Sequence, residues 1–416
     1  MKKINNILII SESIDINDSS ASKGRVALIN NLKKAGFDLK VYHYTRRPIA
    51  LEGIDCVAIT EQKFTFGYVM SKFQLFIRRL TTFNLNPFVE KWIGFSFAFF
   101  NDSYSIKKAL QKEDPNDYKW ILTLSKAASF RPHKALLSLP QWHSKWLAYI
   151  HDPYPMHFYP RPYTWVEPGH YQKQEFMRAV SKACAYGVFP SKLLQEWMGS
   201  YFPDFLERGF VIPHQLTQTQ NPKKELPEYF KTDLFTVLHA GALMKQRNPK
   251  ALIEGFELFL NNVPEAINIS QLLLLGSHDY HKNFLEVKKQ ALSNLYLSPG
   301  YVPFDEVQLL QFHAEVNVII EAKAEISPFL PGKFPHCIAA GKPILHLGPA
   351  LSETRRLLGE NYPYAAEIDA TETIAQLLEV LYKNWKSGNI VIGYDENKLK
   401  QYLGVVYLKE TLRKQN

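Results

Sequence analysis

Cysteine is scarce in this chain. Only three occur in 416 residues, and Cys56, Cys184 and Cys337 stand far apart. An odd number with no short spacing gives neither a disulfide framework nor a cysteine metal site, and it fits a reducing cytoplasm. Long apolar runs are missing as well. The longest candidate, 92–100, is interrupted by Gly94 and Ser96, whereas about 20 residues are needed to span a bilayer. Lys2 and Lys3 are followed only by the apolar residues 7–10, too short for a signal peptide and better read as a first strand. No Asp-x-Asp pair occurs, and the histidines show no ligand spacing. Neither a metal nor any other cofactor is therefore expected. The GxxxxGK[ST] phosphate loop is absent. So are helix-turn-helix, zinc-finger and RNA-binding motifs, so nucleic acid is not an expected partner.

Acidic residues are also short in the first half. Residues 1–213 hold 28 Lys and Arg against 18 Asp and Glu, a net of +10, and the remainder holds 21 against 22, a net of −1. The first half therefore carries the whole basic excess. Such an asymmetry suits an anionic partner, either a membrane surface or a phosphorylated acceptor. Ordinary solubility charge is the competing explanation. Segment 64–100 mixes aromatic residues with Lys72, Arg78, Arg79 and Lys91. It reads either as a segment lying on an anionic membrane or as amphipathic helices packed on a sheet.

The hydrophobic share is 46% and the charged share 21%, which is globular. A chain this long exceeds one ordinary core and implies two domains. Strand and helix patterns alternate, the signature of α/β folds with parallel sheets. Strands are expected at 6–11, 39–44, 120–124, 146–150, 186–189 and 209–212. Helices are expected at 22–35 (stopped by Gly36), 87–111, 167–182 and 191–201. The stretch 215–231, polar and carrying Pro222 and Pro227, reads as a linker. Alternation then restarts, with strands at 234–240, 271–275, 295–298, 316–320 and 344–347. Helices follow at 249–260, 305–314, 372–386 and 396–414. This gives an N-terminal Rossmann-like domain at 1–214, a linker at 215–231 and a second Rossmann-like domain at 232–395. The final segment, 396–416, is expected to pack back on the first domain. Ligands of such sheets bind beyond the strands' carboxyl ends, which places the expected site in a cleft between the halves.

The most informative stretch is EISPFLPGKFPHCIAAGKPILHL, residues 325–347. A polar, proline-bearing loop enters a short helix that stops at Gly341, and a strand follows. Helix amino ends favour anions, and Lys333 adds a charge. Upstream, His239-Ala240-Gly241-Ala242-Leu243 precedes Arg247-Asn248-Pro249 and an apolar helix. A strand-end glycine admits a ligand to the backbone, and an arginine there can hold a diphosphate bidentately.

Five pieces occur in order. They are Gly241-x-Leu243-x-x-x-Arg247-Asn248-Pro249, Leu275-Gly276, Pro299-Gly300-Tyr301-Val302, Ser327-Pro328-x-x-Pro331-x-Lys333 and Ala340-Gly341-Lys342-Pro343-Ile344. Together they resemble the donor half of retaining glycosyltransferases of the GT-B architecture, similar to family-four (glycosyl transferases group 1) members. The likeness is good over about 234–350 and weaker before it, through the first strand, Ile150-His151-Asp152-Pro153, Pro190-Ser191 and Val211-Ile212-Pro213-His214.

The resemblance implies two Rossmann-like domains with parallel sheets facing across a cleft. It implies sugar transfer from a nucleotide-sugar donor to a glycan or lipid-linked acceptor, as in surface polysaccharide assembly, while peripheral contact at the inner face of the membrane is the expectation that segment 64–100 raises. It implies donor diphosphate and sugar contacts from Gly241, Arg247, Ser327, Pro328, Phe329, Gly332 and Lys333. Nucleoside contacts would come from Gly276, Tyr301, Val302 and His336. His151 and Asp152 would stand at the reacting centre, and Lys23, Gly24 and Arg25 would form the N-terminal loop near the donor or acceptor. The aromatic segment 154–170, which also carries Arg161, reads either as acceptor recognition or as loop packing.

Two positions depart from the family pattern. Ala242 stands where many members have arginine. His336 stands where a glutamate usually accepts the ribose hydroxyls, and a neutral imidazole accepts only one such bond. Glu321 and Glu325 are candidate substitutes. These departures support an alternative, a non-catalytic member binding a glycan or a partner protein. A nucleotide-sugar epimerase with two Rossmann-like halves fits the ordered pieces less well.

Overall fold

The computed structural model describes residues 5–18, 20–217 and 225–415. The chain forms two compact units.

The first unit holds strands β1 (Asn6–Ser11), β2 (Asp38–His43), β3 (Asp55–Ala58), β4 (Trp120–Leu124), β5 (Trp146–Tyr149), β6 (Tyr186–Phe189) and β7 (Gly209–Val211). They form one parallel sheet in the order β3-β2-β1-β4-β5-β6-β7. Its central strands are almost wholly buried, with Ile7, Leu8, Ile9 and Ile10 sealed, as expected of a parallel sheet covered on both faces. Its helices are α1 (Ser20–Lys34), α2 (Phe66–Thr81), α3 (Asn86–Ile93), α4 (Phe97–Leu110), α5 (Arg131–Leu137), α6 (His170–Ala183), α7 (Lys192–Tyr201) and α8 (Asp204–Glu207). Side-chain caps mark several starts. Thr65, Ser96 and Ser191 each accept from a backbone N–H three residues on, satisfying a donor that the helix itself leaves unpaired.

The single helix expected over 87–111 is two helices. Gly94 adopts φ +84 and ends α3, and Ser96 caps α4. Amphipathic periodicity runs through both pieces and conceals the break.

The second unit holds β8 (Phe235–Ala240), β9 (Ser270–Leu275), β10 (Leu295–Leu297), β11 (Val316–Ile320), β12 (Ile326–Ser327), β13 (Ile344–Leu347), β14 (Leu351–Ser352) and β15 (Ala365–Ala366). Six of these form a second parallel sheet, β10-β9-β8-β11-β13-β15, while β12 and β14 pair separately. Around them lie α9 (Lys250–Asn262), α10 (Lys282–Ala291), α11 (Phe304–His313), α12 (Phe334–Ala340), α13 (Glu353–Leu358), α14 (Thr371–Lys386) and α15 (Glu396–Tyr402). Phe235, Phe256, Phe259 and Tyr382 anchor its core.

The expected helix 396–414 also splits. Leu403 ends α15, and α16 (Val405–Lys414) starts after Gly404. Leu408 and Leu412 of α16 join Val26, Ile29 and Leu32 of α1 in the core of the first unit. Residues 218–224 of the expected linker lie outside the described residues.

Candidate functional site

In the second sheet the strand order reverses between β8 and β11. Such a reversal opens a crevice beyond the carboxyl ends of the strands. His239 of β8 is buried there, and its Nδ1 lies 3.1 Å from the Val318 carbonyl oxygen of β11. A carbonyl can only accept, so Nδ1 carries the proton and Nε2 keeps a lone pair. Burial and the neighbouring Lys333 charge hold His239 well below the usual histidine range, so the ring is neutral. The Lys333 ammonium, 3.3 Å away, donates to Nε2.

Lys333 occupies the N-cap position of α12, but its side chain makes no capping bond. It reaches β8 instead. Gly241 adopts φ +147, and a Cβ there would come within 2.9 Å of the Lys333 Nζ. The absence of a side chain at 241 therefore makes room for the ammonium. Burial, and then the charge of Arg247, push the Lys333 pKa down to about 7. Arg247 precedes α9, and its Nε is buried with no hydrogen-bond partner among the described residues. Neither cation is ion-paired among the described residues. Two like charges held together without a counter-ion are costly, and an anionic ligand would relieve that cost.

The neighbouring strand-end loops complete the surroundings. Gly276, with φ +121, packs so closely that a Cβ would meet the Gly241 oxygen at 2.8 Å. Its N–H donates to Ser298 Oγ at 2.8 Å, and that hydroxyl donates to the Gly300 oxygen at 2.8 Å. Tyr301, which follows, is 76% exposed, while Val302 packs on a small apolar cluster with Leu275. Ser327 is buried and its strand β12 pairs with β14. Pro328 is buried, Phe329 half-buried and Gly332 exposed. The stretch 327–332 thus begins as a pinned strand and opens only towards Gly332. His336 lies in the first turn of α12, with Nδ1 3.3 Å from Gln308 Nε2 and its ring edge-on to Phe304.

The two carboxylates considered as substitutes at the ribose differ. Glu325 is exposed. Glu321 is buried, pairs with His346 Nε2 at 3.1 Å and accepts from the Thr354 hydroxyl. Burial opposes its charge, but the contacts with His346, Ser327 and Thr354 together overcome this and lower its pKa. Its Oε1 is thus committed within its own unit, while Oε2 is buried with no hydrogen-bond partner among the described residues.

In the first unit, His151 and Asp152 follow β5. The His151 ring sits 4.5 Å from that of Tyr149, and its Nε2 is buried with no hydrogen-bond partner among the described residues. Burial, then Arg25, hold His151 well below the usual range. Asp152 is half-buried.

The stretch expected as an N-terminal loop is helical, because α1 already begins at Ser20. Lys23 and Gly24 are half-buried within it. Arg25 lies inside the helix. It is buried, and it donates from Nε to the Ser13 oxygen and from one terminal nitrogen to the Ser125 oxygen, both at 3.0 Å. The other terminal nitrogen donates to Ser22 Oγ. The β1/β4 reversal of the first sheet is therefore bridged by the protein's own guanidinium. Glu12 adds to it by accepting from the Lys126 and Arg131 N–H groups.

The motif pieces assign no role to His239, which the structure places against Lys333. Its position directly before Ala240-Gly241, on an otherwise apolar strand, was the available signal. Among the described residues, no group of three or more His, Cys, Asp or Glu could hold a metal ion, and no helix is long and apolar enough to cross a membrane.

No protein-family model matches the chain, and no curated protein matches it by sequence. Solved structures match its fold. A glycosyltransferase from Rickettsia africae aligns with TM-score 0.62 at 11% identity, covering 99% of this chain and 97% of that one. HepE from Anabaena, solved with UDP and glucose, aligns with TM-score 0.59 at 11% identity, covering 98% of each. A UDP-forming α,α-trehalose-phosphate synthase from Burkholderia xenovorans aligns with TM-score 0.65 at 10% identity, again covering 98% of each. Two parallel α/β units over the full length of such neighbours give this chain the GT-B fold.

Proposed function

We propose that the chain is a retaining glycosyltransferase, moving a sugar from a nucleotide-diphosphate donor to a hydroxyl of a glycan or lipid-linked acceptor. One observation carries this reading. Lys333 and Arg247 stand at the strand reversal of the second sheet, beside the glycine turns of 241 and 276, with no counter-ion among the described residues. Two unpaired cations beside close backbone turns are what a diphosphate would call for, and this supports the reading. Two of the structural neighbours were solved with UDP-containing ligands or named for forming UDP.

In the transfer, the bond between the anomeric carbon and the diphosphate oxygen breaks. A bond from the acceptor oxygen forms on the same face. The acceptor proton passes to the leaving diphosphate, and Lys333 and Arg247 meet its growing charge without a metal. Surface polysaccharide assembly at the cytoplasmic face of a membrane is the setting this chemistry suits. The second unit binds the donor and the first the acceptor, with His151 and Asp152 as its reacting-centre candidates.

A second reading, a non-catalytic protein binding a glycan or protein partner, is favoured by His336 and Ala242, which remove two polar donor contacts. Isothermal titration with UDP, GDP, ADP and CDP tests the first reading. Binding of one diphosphate, lost in a folded Arg247→Ala variant, is the expected result. Unchanged affinity in that variant overturns the assignment. Failure to turn over any nucleotide sugar, with retained glycan binding, selects the second reading.

A further inference from the structure

Helix α2 is amphipathic in the wrong direction for a solvated surface helix. Phe66, Val69, Phe73, Phe76 and Leu80 recur at spacings of three and four, and each is 52–73% exposed. That spacing gathers them into one stripe along the helix. The face turned to the protein is mixed, with Gly67, Ser71 and Gln74 beside the half-buried Met70 and Ile77. Gly67 packs so closely on α4 that a Cβ would lie 3.3 Å from the Phe97 oxygen, and the only buried residue of α2 is Gln74. The stripe continues beyond the helix. Phe83 and Phe88 rings meet at 5.6 Å, and Trp92 of α3, four residues after Phe88, is 80% exposed. No residue of α3 is buried.

An exposed aromatic surface of this extent marks an interaction site, and its charges identify the occupant. Lys63, Lys72, Arg78, Arg79 and Lys91 belong to the segment 62–93, against a single acid, Glu90. Glu90 is already paired with Lys173 at 2.9 Å. Lys72 and Arg79 are seven residues apart and so share one flank of the stripe. Long cationic side chains beside an apolar face can lay their stems along it and keep their charges at its rim.

A second copy of the chain is a poor occupant, because a two-fold pairing of this patch would set the same cations against one another. We propose that α2 and α3 dock on an anionic lipid bilayer, with the aromatic stripe at the headgroup boundary and Lys72 and Arg79 on lipid phosphates. This rests on the surface alone and stands whether or not the proposed transfer reaction does.

The test is co-sedimentation of the full chain with phosphatidylcholine vesicles, with and without phosphatidylglycerol. Binding only to the phosphatidylglycerol vesicles, weakened by salt, is expected. Lys72→Gln with Arg79→Gln should weaken partitioning by about tenfold or more, from roughly 1 kcal/mol per cation. Phe73→Ser with Phe76→Ser should do at least as much, while Val287→Ser on the exposed surface of the second unit should change nothing. These side chains are exposed, and unchanged melting temperatures would confirm that the variants fold. No binding, equal binding to neutral vesicles, or binding indifferent to both double variants overturns the proposal. A dimer seen by sedimentation velocity that Phe73→Ser dissolves, without vesicle binding, overturns it in favour of a second copy.

Discussion

The ammonium of Lys333 rests 3.3 Å from Nε2 of His239, a ring whose other nitrogen is held by the Val318 carbonyl. One strand thus fixes the tautomer of a histidine on the next, and that histidine positions the cation. The cation is kept poorly solvated and close to Arg247, so its charge is available to an arriving anion at little cost in reorganisation.

Replacing Lys333 should separate binding from folding. Lys333→Met keeps the stem and removes a charge-assisted contact, which is worth roughly 1.5–3 kcal/mol. Titration calorimetry should therefore show nucleoside diphosphate affinity falling about 10- to 100-fold, with the circular dichroism spectrum unchanged.

The low Lys333 pKa sets a pH dependence. With its pKa near 7 in the free protein, the ammonium deprotonates as pH rises through neutrality, and an anion then finds less charge. A sugar diphosphate diester keeps a constant charge over this range, so its affinity should fall from pH 6 to pH 8.5. In Lys333→Met this slope should disappear. For stability the sign is reversed. The folded pKa lies below the unfolded one, so between them the unfolded chain binds more protons and this group makes stability rise with pH. Urea midpoints of wild type and Lys333→Met, compared at pH 7 and pH 9, should show wild type gaining relative to the variant.

Gly241→Ala should disturb the site from the backbone side. The new Cβ would press on the Lys333 Nζ at 2.9 Å, at a φ of +147 that side chains rarely adopt. A destabilisation of roughly 1–3 kcal/mol is expected, read as a lower urea midpoint. Diphosphate binding should weaken with it. Gly332→Ala, where a Cβ meets open space, should leave stability unchanged.

His336→Glu tests the least orthodox position. If residue 336 faces the ribose, a carboxylate there should raise affinity for a ribonucleoside diphosphate over its 2′-deoxy counterpart. Equal changes for both, or none, would place His336 outside the site and leave it to Gln308 and Phe304.

Much of the architecture could be read from the residues. Runs such as 7–10 and 316–320 are buried on both faces and advertise parallel strands without any knowledge of their neighbours. Gly341 marks a helix end because the left-handed turn, here φ +64, is open to it at little cost. The breaks at Gly94 and Gly404 were missed because periodicity carries across a short interruption. At the site, the order of the motif pieces pointed to Gly241, Arg247 and Lys333, since each is a local signal of close backbone approach or positive charge.

What the sequence determined by itself was therefore the alternation of elements, their turns and the residue types able to meet a diphosphate. Each of these depends on neighbours a few positions away. Tertiary structure decided which way the charges face. It turned Arg25 inward onto Ser13 and Ser125, committed Glu321 to His346, set Lys333 against His239 and left the aromatic stripe of α2 outside. Those choices rest on partners tens of residues distant along the chain. Strand register and helix packing bring such partners together, and no local pattern encodes them.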